Sequence, residues 1–167
     1  MILSATRQAR YAGAWCVTAV AASDGALDRW EGRAWMESPC IQVEVAKPWR
    51  DLYELIWRPE TFPRWASGLA ESGLRPLDAV WWHAAGPEGP IRIRFTPHNE
   101  FGVMDHWVDP GQGAEIYVPM RVIANGPGAL VEFTLFRQPG MTKEKFQADA
   151  DWVARDLQAL RAFAEGE

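Results

Sequence analysis

Near the end of the chain, apolar residues recur at alternating steps of four and three, a spacing that places them on one face of an α-helix. The predicted helix covers residues 143–164, and its apolar face contains Phe146, Ala150, Val153, Leu157, Leu160 and Ala164. Thr142 can cap its start, directly after the helix-breaking pair Pro139 and Gly140, and Gly166 suits its end. A helix with one apolar face needs a surface to cover, so we expect the rest of the chain to supply one.

Upstream of this helix, apolar and polar positions alternate in short runs separated by turns rich in Gly and Pro. Alternation with a period of two predicts half-buried strands. The first predicted strand is the run CIQVEVA from Cys40, and the other five cover residues 79–84, 91–96, 100–108, 114–124 and 129–137. These five follow each other through short turns, which is typical of an antiparallel meander. One apolar and one polar face predict a sheet that is covered on one side.

Two short helices are predicted after the first strand. Pro48 suits the first turn of the first one, whose apolar positions are Trp49, Leu52, Tyr53, Ile56 and Trp57. Pro59 and Pro63 then allow only a second brief helical turn. The predicted fold class is therefore α+β, with an antiparallel sheet and a long C-terminal helix.

Residues 1–35 do not fit this pattern, and we treat residues 36–167 as the domain. Arg7 and Arg10 precede a short apolar run that ends in Ala-Val-Ala, which has the outline of a weak secretory signal. Two other interpretations stay open: translation that naturally starts at Met36, and a loosely attached N-terminal extension. Under either of them, a chain that starts at Met36 is expected to fold.

Composition narrows the class of protein. The chain has 167 residues, 48% of them apolar and 23% charged, which is typical of a globular domain. A formal charge of −5 argues against nucleic-acid binding, which needs a basic face. Cys16 and Cys40 cannot form a disulfide framework or a CxxC metal site, so we expect a reducing, cytoplasmic location. No apolar run is long enough to span a membrane, and the 10 Trp suit an aromatic-lined cleft as well as a core.

The runs VAKPWRDLYELIWRPETFPRW, RFTPHNEFGVMDHWV and FRQPGMTKEKFQADADWVARDLQAL resemble the SRPBCC superfamily, which includes START-related lipid carriers, and within it the polyketide cyclase-like branch. The resemblance covers about residues 40–165. It implies the helix-grip fold, in which a curved antiparallel sheet wraps around a long C-terminal helix. The six predicted strands depart from the seven that many members have. Members range from carriers to cyclases and chaperone cofactors, so the resemblance implies a fold and no single chemistry.

The densest polar cluster is His98, Asn99, Glu100, Asp105 and His106. We expect no metal site there, because neighbouring strand residues point to opposite faces while metal ligands must converge. His106 titrates near neutrality and is the better candidate for an acid or base, with Asp105 as the other. The strand is apolar on both faces, so its alternation does not decide which of the two faces inward. A hydrogen-bonded structural histidine is the alternative.

Two arginines are also candidates. Arg121 and Glu132 are expected to form a solvated ion pair between neighbouring strands. Arg137 continues the inward face of the last strand, where it could hold a carboxylate or phosphate of a ligand. It could equally pair with a buried carboxylate or reach solvent at the strand end.

We expect a pocket between the sheet and the last helix that binds a small hydrophobic or amphipathic molecule, with no cofactor, no nucleic-acid partner and no stable membrane insertion. The predicted ligand-binding residues are Trp65, Ile93, Phe95, Met104, His106, Val118, Met120, Phe133, Leu135, Arg137, Phe146 and Val153. One alternative is a cyclase or dehydratase of the polyketide type that uses His106 or Asp105. The other is a protein-interaction module in which Trp49, Trp57 and Trp65 form an exposed patch.

Overall fold

The computed structural model describes residues 35–70, 73–86, 89–111 and 114–166. The predicted N-terminal extension, residues 1–35, lies outside this part of the chain apart from its last residue. The unit described below is Met36–Glu167.

In the described residues the structure contains three α-helices and eight strands. The helices are α1 (Trp49–Ile56), α2 (Ser67–Ala70) and α3 (Lys143–Gly166), with a 3-10 turn at Pro59–Arg64 between the first two. The strands are β1 (Cys40–Val45), β2 (Arg75–Pro76), β3 (Trp81–Gly86), β4 (Gly89–Phe95), β5 (His106–Asp109), β6 (Ile116–Val118), β7 (Met120–Asn125) and β8 (Gly128–Thr134). The order is the predicted one: a strand, short helices, antiparallel strands and a long last helix.

The strands form two antiparallel sheets where the sequence predicts one. The first sheet has the order β1-β8-β7, and the second has the order β2-β3-β4-β5-β6. The predicted strand over residues 114–124 divides at Pro119, so that β6 pairs with β5 and β7 pairs with β8. Proline has no N–H for the ladder, which makes it a natural place for a strand to leave one sheet and enter the next. The six predicted strands were therefore too few.

The predicted strand over residues 100–108 is regular only from His106 onward. In the residues before His106, the Asn99 side chain forms hydrogen bonds with backbone groups that would otherwise pair with a neighbouring strand. Its Oδ1 accepts hydrogen bonds from the backbone N–H groups of Phe101 (3.0 Å) and Val103 (3.1 Å), and its Nδ2 donates to the Val103 carbonyl oxygen (2.9 Å). Local bonds from an Asn side chain compete with the ladder and favour a turn.

Gly102 makes this turn fit against β7. Its φ is 69°, and a Cβ built there would lie 2.2 Å from the carbonyl oxygen of Val122. Only glycine tolerates both the positive φ and so close an approach of two backbones. The turn and β7 are also joined by a hydrogen bond from the Val122 N–H to the Gly102 carbonyl oxygen (2.9 Å).

Helix α3 confirms the prediction from periodicity. Thr142 Oγ1 accepts a hydrogen bond from the Lys145 backbone N–H (3.2 Å), as expected of an N-cap. Its buried residues are Phe146, Leu157, Leu160 and Ala164, all on the predicted apolar face. The helix lies against β1, and the Glu165 carboxylate accepts a hydrogen bond from the Ala46 N–H (2.9 Å).

Helix α1 covers the first sheet. Its Leu52, Tyr53 and Ile56 are buried, and it packs against β7 and β8. None of the helices in the described residues is both long enough and apolar enough to cross a membrane.

Candidate functional site

A cavity of about 450 Å³ lies between α3, residues of both sheets and the segment from the 3-10 turn to α2. Ligand pockets in proteins are typically about 300–1,000 Å³, so it can enclose a small molecule. Its aromatic walls are Phe62, Trp65, Phe95, Phe133 and Trp152. Its aliphatic walls are Leu69, Ile91, Ile93, Val108, Ile116, Leu135, Val153 and Leu157, with Met141 beside them.

The structure brings many of the predicted ligand-binding residues to this cavity. Those in its wall are Trp65, Ile93, Phe95, His106, Phe133, Leu135 and Val153. Whether they bind a ligand stays a prediction. Ile91 shares the inward face of β4 with Ile93 and could have been found from alternation. Phe62 and Leu69 could not, because the 3-10 turn and the four-residue helix α2 are too short to show a period.

The other predicted ligand-binding residues lie away from the cavity wall. Met120 is wholly buried on β7, beyond the bend at Pro119, and Val118 is the last residue of β6 before that bend. Met104 and Phe146 are buried outside the wall. The cavity wall does not include these four residues; for Val118 and Met120 the reason is that the predicted single strand bends at Pro119 and passes from one sheet to the other.

Arg137 is also away from the cavity, where its guanidinium holds the loop before α3. Nε and Nη2 donate to the Met141 carbonyl oxygen (3.0 and 2.8 Å), and Nη1 lies 3.4 Å from a Glu37 carboxylate oxygen. An inward arginine that holds a ligand anion is therefore not what the structure shows. The alternative of a buried carboxylate partner is not what the structure shows either, because the carboxylate beside Arg137 is the exposed one of Glu37.

The imidazole of His106 is part of the cavity wall. It is 9% exposed and has the rings of Phe62, Phe95 and Phe133 around it at centroid distances of 5.8, 5.8 and 6.3 Å. Nδ1 lies 3.2 Å from the Met104 carbonyl oxygen, which can only accept, so this nitrogen carries the proton and Nε2 is an acceptor. Burial lowers the pKa of His106 to about 4, against the partial compensation of that hydrogen bond.

This shift predicts an acid-sensitive contribution to stability. The pKa of His106 is about 4 in the folded state and about 6.5 in the unfolded state, so between these values the unfolded chain binds the extra proton. The contribution is intact above about pH 6.5 and is lost as the pH falls toward 4. By pH 4.5 the loss amounts to about 2.5 kcal/mol of unfolding free energy.

The measurement is urea unfolding at pH 7 and pH 4.5 for the parent, His106→Phe and His83→Gln. We expect the drop in unfolding free energy between the two pH values to be about 2.5 kcal/mol smaller in His106→Phe than in the parent. His83 is exposed, so His83→Gln should keep the parent's drop. Equal drops in all three proteins would show that His106 is not buried in its neutral form.

Asp105 points to the opposite side of the strand from His106, and both sides are covered. Its carboxylate accepts hydrogen bonds from the Tyr117 hydroxyl and from the Met120 backbone N–H (2.9 Å), and it pairs with Arg121. Tyr117 and Met120 lie on either side of Pro119, so the hydrogen bonds of Asp105 stabilise the bend between the two sheets. It does not reach the cavity, which argues against it as a catalytic base.

Arg121 and Glu132 do not form the expected ion pair, because each of them has another partner. The two residues are opposite each other in the β7–β8 register, but Arg121 pairs with Asp105. The Glu132 carboxylate instead accepts a hydrogen bond from Gln42 Nε2 (2.8 Å) on the other neighbouring strand.

The remaining cluster residues are separated from His106. His98 Nε2 lies 2.7 Å from a Glu54 carboxylate oxygen, and its ring packs on Trp57 at 4.7 Å between centroids. In the ranges that the structure describes, no three His, Cys, Asp or Glu side chains are grouped so that they could hold a metal ion.

The three tryptophans proposed as an exposed patch do not form one. Trp65 is 5% exposed and belongs to the cavity wall. Trp49 and Trp57 are half-buried against the core, and their rings carry the guanidinium groups of Arg50 and Arg58 at 5.1 and 5.5 Å. The interaction-module alternative therefore loses the surface on which it was based.

At the rim of the cavity, polar side chains form hydrogen bonds and an ion pair with each other. Ser67 begins α2, and its Oγ donates to the Asp156 carboxylate (2.6 Å) while accepting from Trp152 Nε1 (2.7 Å). Lys145 and Asp149 form an ion pair at 3.0 Å one turn apart on α3. The bonds of Ser67 join α2 to α3 beside the cavity.

No protein-family model matches the chain, and no curated protein matches it at a significant level. Solved structures do resemble it. A START superfamily protein from Mycobacterium smegmatis aligns with a TM-score of 0.58 and 14% identity, over 77% of this chain and 97% of that one. Ara h 8.0201 aligns with a TM-score of 0.60 and 10% identity, over 80% of this chain and 100% of that one.

DynU16, a protein of the dynemicin biosynthetic locus, aligns with a TM-score of 0.59 and 13% identity, over 77% of this chain but only 47% of its own. At these identities the likeness shows the fold and nothing finer. The likeness confirms the predicted α+β helix-grip architecture, with its curved antiparallel strands and long C-terminal helix.

Proposed function

We propose that this chain, which has the helix-grip fold of the SRPBCC superfamily, binds a small hydrophobic or amphipathic molecule in the cavity beside α3. The observation that carries the proposal is the cavity itself: about 450 Å³, with walls that are mostly aromatic and aliphatic. Such a wall offers apolar area and few hydrogen bonds, so recognition would rest on shape and on burial at about 25 cal/mol per Å².

The position of α3 supports the same proposal. Leu160 and Ala164, in its C-terminal half, are wholly buried in the core, whereas Val153 and Trp152, nearer its start, lie in the cavity wall. Phe146, near the start of the helix, is buried as well, so the helix is anchored on both sides of the part that borders the cavity. A cavity bordered by a well-anchored element is largely pre-formed, which lowers the entropic cost of binding.

An enzyme is supported less well by this site. His106 is neutral near pH 7 and a weak base, because burial lowers the pKa of its imidazole to about 4. Its Nδ1 is bonded to a backbone carbonyl rather than to a carboxylate, and Asp105 faces away from the cavity. The orienting carboxylate that would strengthen a histidine base is therefore missing from the described residues around it.

The first test is a thermal-shift screen of fatty acids, aromatic polyketides and sterols. A ligand at 100 times its dissociation constant should stabilise the fold by about 2.7 kcal/mol. In a chain of this size that corresponds to a rise in melting temperature of roughly 5 to 10 °C. Hydrophilic sugars of similar mass serve as the control and should give no rise. If no apolar compound raises the melting temperature, the cavity does not bind ligands of this class.

A further inference from the structure

The imidazole of His106 gives the cavity wall a hydrogen-bond acceptor that no described residue uses. His106 donates through Nδ1 to the Met104 carbonyl oxygen, and no described residue forms a hydrogen bond with Nε2. The groups packed around the ring are the aromatic side chains of Phe62, Phe95 and Phe133, none of which can donate a conventional hydrogen bond. A ligand that supplies a donor to this acceptor would form a hydrogen bond within a mostly apolar wall, where few other polar groups compete for it.

The charges in the wall argue against an anionic ligand. Lys145 is the cationic residue among the described lining residues, and it is paired with Asp149 (3.0 Å). Asp156 is the other charged residue in the lining, and it accepts hydrogen bonds from Ser67. A ligand carboxylate or phosphate would therefore meet two carboxylates at the rim and an already paired ammonium group.

We propose that the ligand is a neutral apolar molecule with a hydroxyl group, an alcohol or a phenol, whose O–H donates to Nε2 of His106. This inference rests on the proposed function, because it assigns the polar end of the ligand bound in that cavity. It separates hydroxyl compounds from fatty acids, which the shape of the cavity alone does not do. Because burial lowers the pKa of His106, the acceptor stays unprotonated through the neutral range.

Trp65 provides a control within the same wall. Its Nε1 is the buried side-chain nitrogen without a hydrogen-bond partner in the described residues, and almost none of its surface is accessible. Its ring packs on Phe62 at 4.7 Å between centroids, and His106 packs on the same phenylalanine at 5.8 Å. Trp65→Phe therefore changes the cavity without changing the acceptor.

The experiment compares four probes of one shape at pH 7 by isothermal titration calorimetry: 2-naphthol, 2-methoxynaphthalene, 2-methylnaphthalene and 2-naphthoate. Only 2-naphthol can donate a hydrogen bond. In the parent protein it should bind about 3- to 10-fold more tightly than 2-methoxynaphthalene. The anion 2-naphthoate should bind most weakly of the four.

Two variants test whether His106 is the acceptor for the hydroxyl group of 2-naphthol. In His106→Phe, the ratio of the 2-naphthol affinity to the 2-methoxynaphthalene affinity should fall at least about 5-fold, because the hydroxyl is left unpaired. In Trp65→Phe the same ratio should stay at its parent value, even if both affinities change. His106→Leu is a second variant without an acceptor, to be used if the phenylalanine does not fold.

The outcomes distinguish this inference from the proposed function. If none of the four probes binds the parent, the cavity does not bind apolar molecules and both proposals fail. If the probes bind but 2-methoxynaphthalene or 2-naphthoate is tightest, only the hydroxyl inference is wrong. The same holds if the affinity ratio is unchanged in His106→Phe.

Discussion

Leu160→Asp should unfold the protein or lower its unfolding free energy by about 4 kcal/mol or more. Leu160 is wholly buried in the C-terminal half of α3, where the helix lies against β1. An aspartate there would place a carboxylate in an apolar environment without a partner, and it would also remove the packing of a large side chain. Natural domains are stable by only about 5–15 kcal/mol, so the loss is a large part of the total.

The matched control is Ala159→Asp, the same new side chain one position earlier, on the exposed side of the helix. It should change the unfolding free energy by less than about 1 kcal/mol, mainly through helix propensity. Urea unfolding followed by circular dichroism measures both. Equal stability of the two variants would mean that α3 does not bury the face assigned to it.

Val108→Trp should leave the protein folded and abolish its stabilisation by apolar ligands. Val108 is half-buried on β5, opposite Ile93 and Ile116 in the strand register, and its side chain lies in the cavity wall. An indole added there can occupy part of the cavity volume of about 450 Å³. Bulk is tolerated where there is space, and tryptophan suits a strand. The ligand-dependent gain of about 2.7 kcal/mol at 100 times the dissociation constant should disappear.

The same substitution at Met120 should behave in the opposite way. Met120 is wholly buried on β7 and is not part of the cavity wall, so a larger side chain should cost about 1–3 kcal/mol even without ligand. Thermal shift with and without the best ligand of the screen compares the two variants. Should Val108→Trp keep the full ligand shift, the ligand binds elsewhere. Should it unfold, the cavity is not open space.

The break between the two sheets has a signal in the sequence, which is Pro119. Ile116, Val118, Met120 and Val122 alternate without interruption, which favoured a single strand. The burial of Val118, Met120 and Val122 confirms the alternation itself. Proline within a run is nonetheless a signal for an edge or a break, and here it marks the passage between the two sheets. A single strand without this break would place Met120 at the cavity.

The sequence by itself determined the elements whose causes are local. Helix α3 is set by the spacing of Leu157, Leu160 and their neighbours and by the Thr142 cap, and all of these act within a few residues. The order of strands and helices then sufficed to predict the helix-grip fold. Packing against distant parts of the chain had only to be compatible with these preferences.

Only the tertiary structure decided which side of β5 lines the cavity. Alternation separates two faces, and it identifies the inner one only where the other is in water. On this strand both faces are covered: His106 lies in the aromatic wall, and Asp105 is enclosed by Tyr117 and Arg121 across the bend. These neighbours are distant in sequence or belong to another sheet, so no local pattern could record them. No local pattern could predict the cavity either, because it is formed where two sheets and a helix meet.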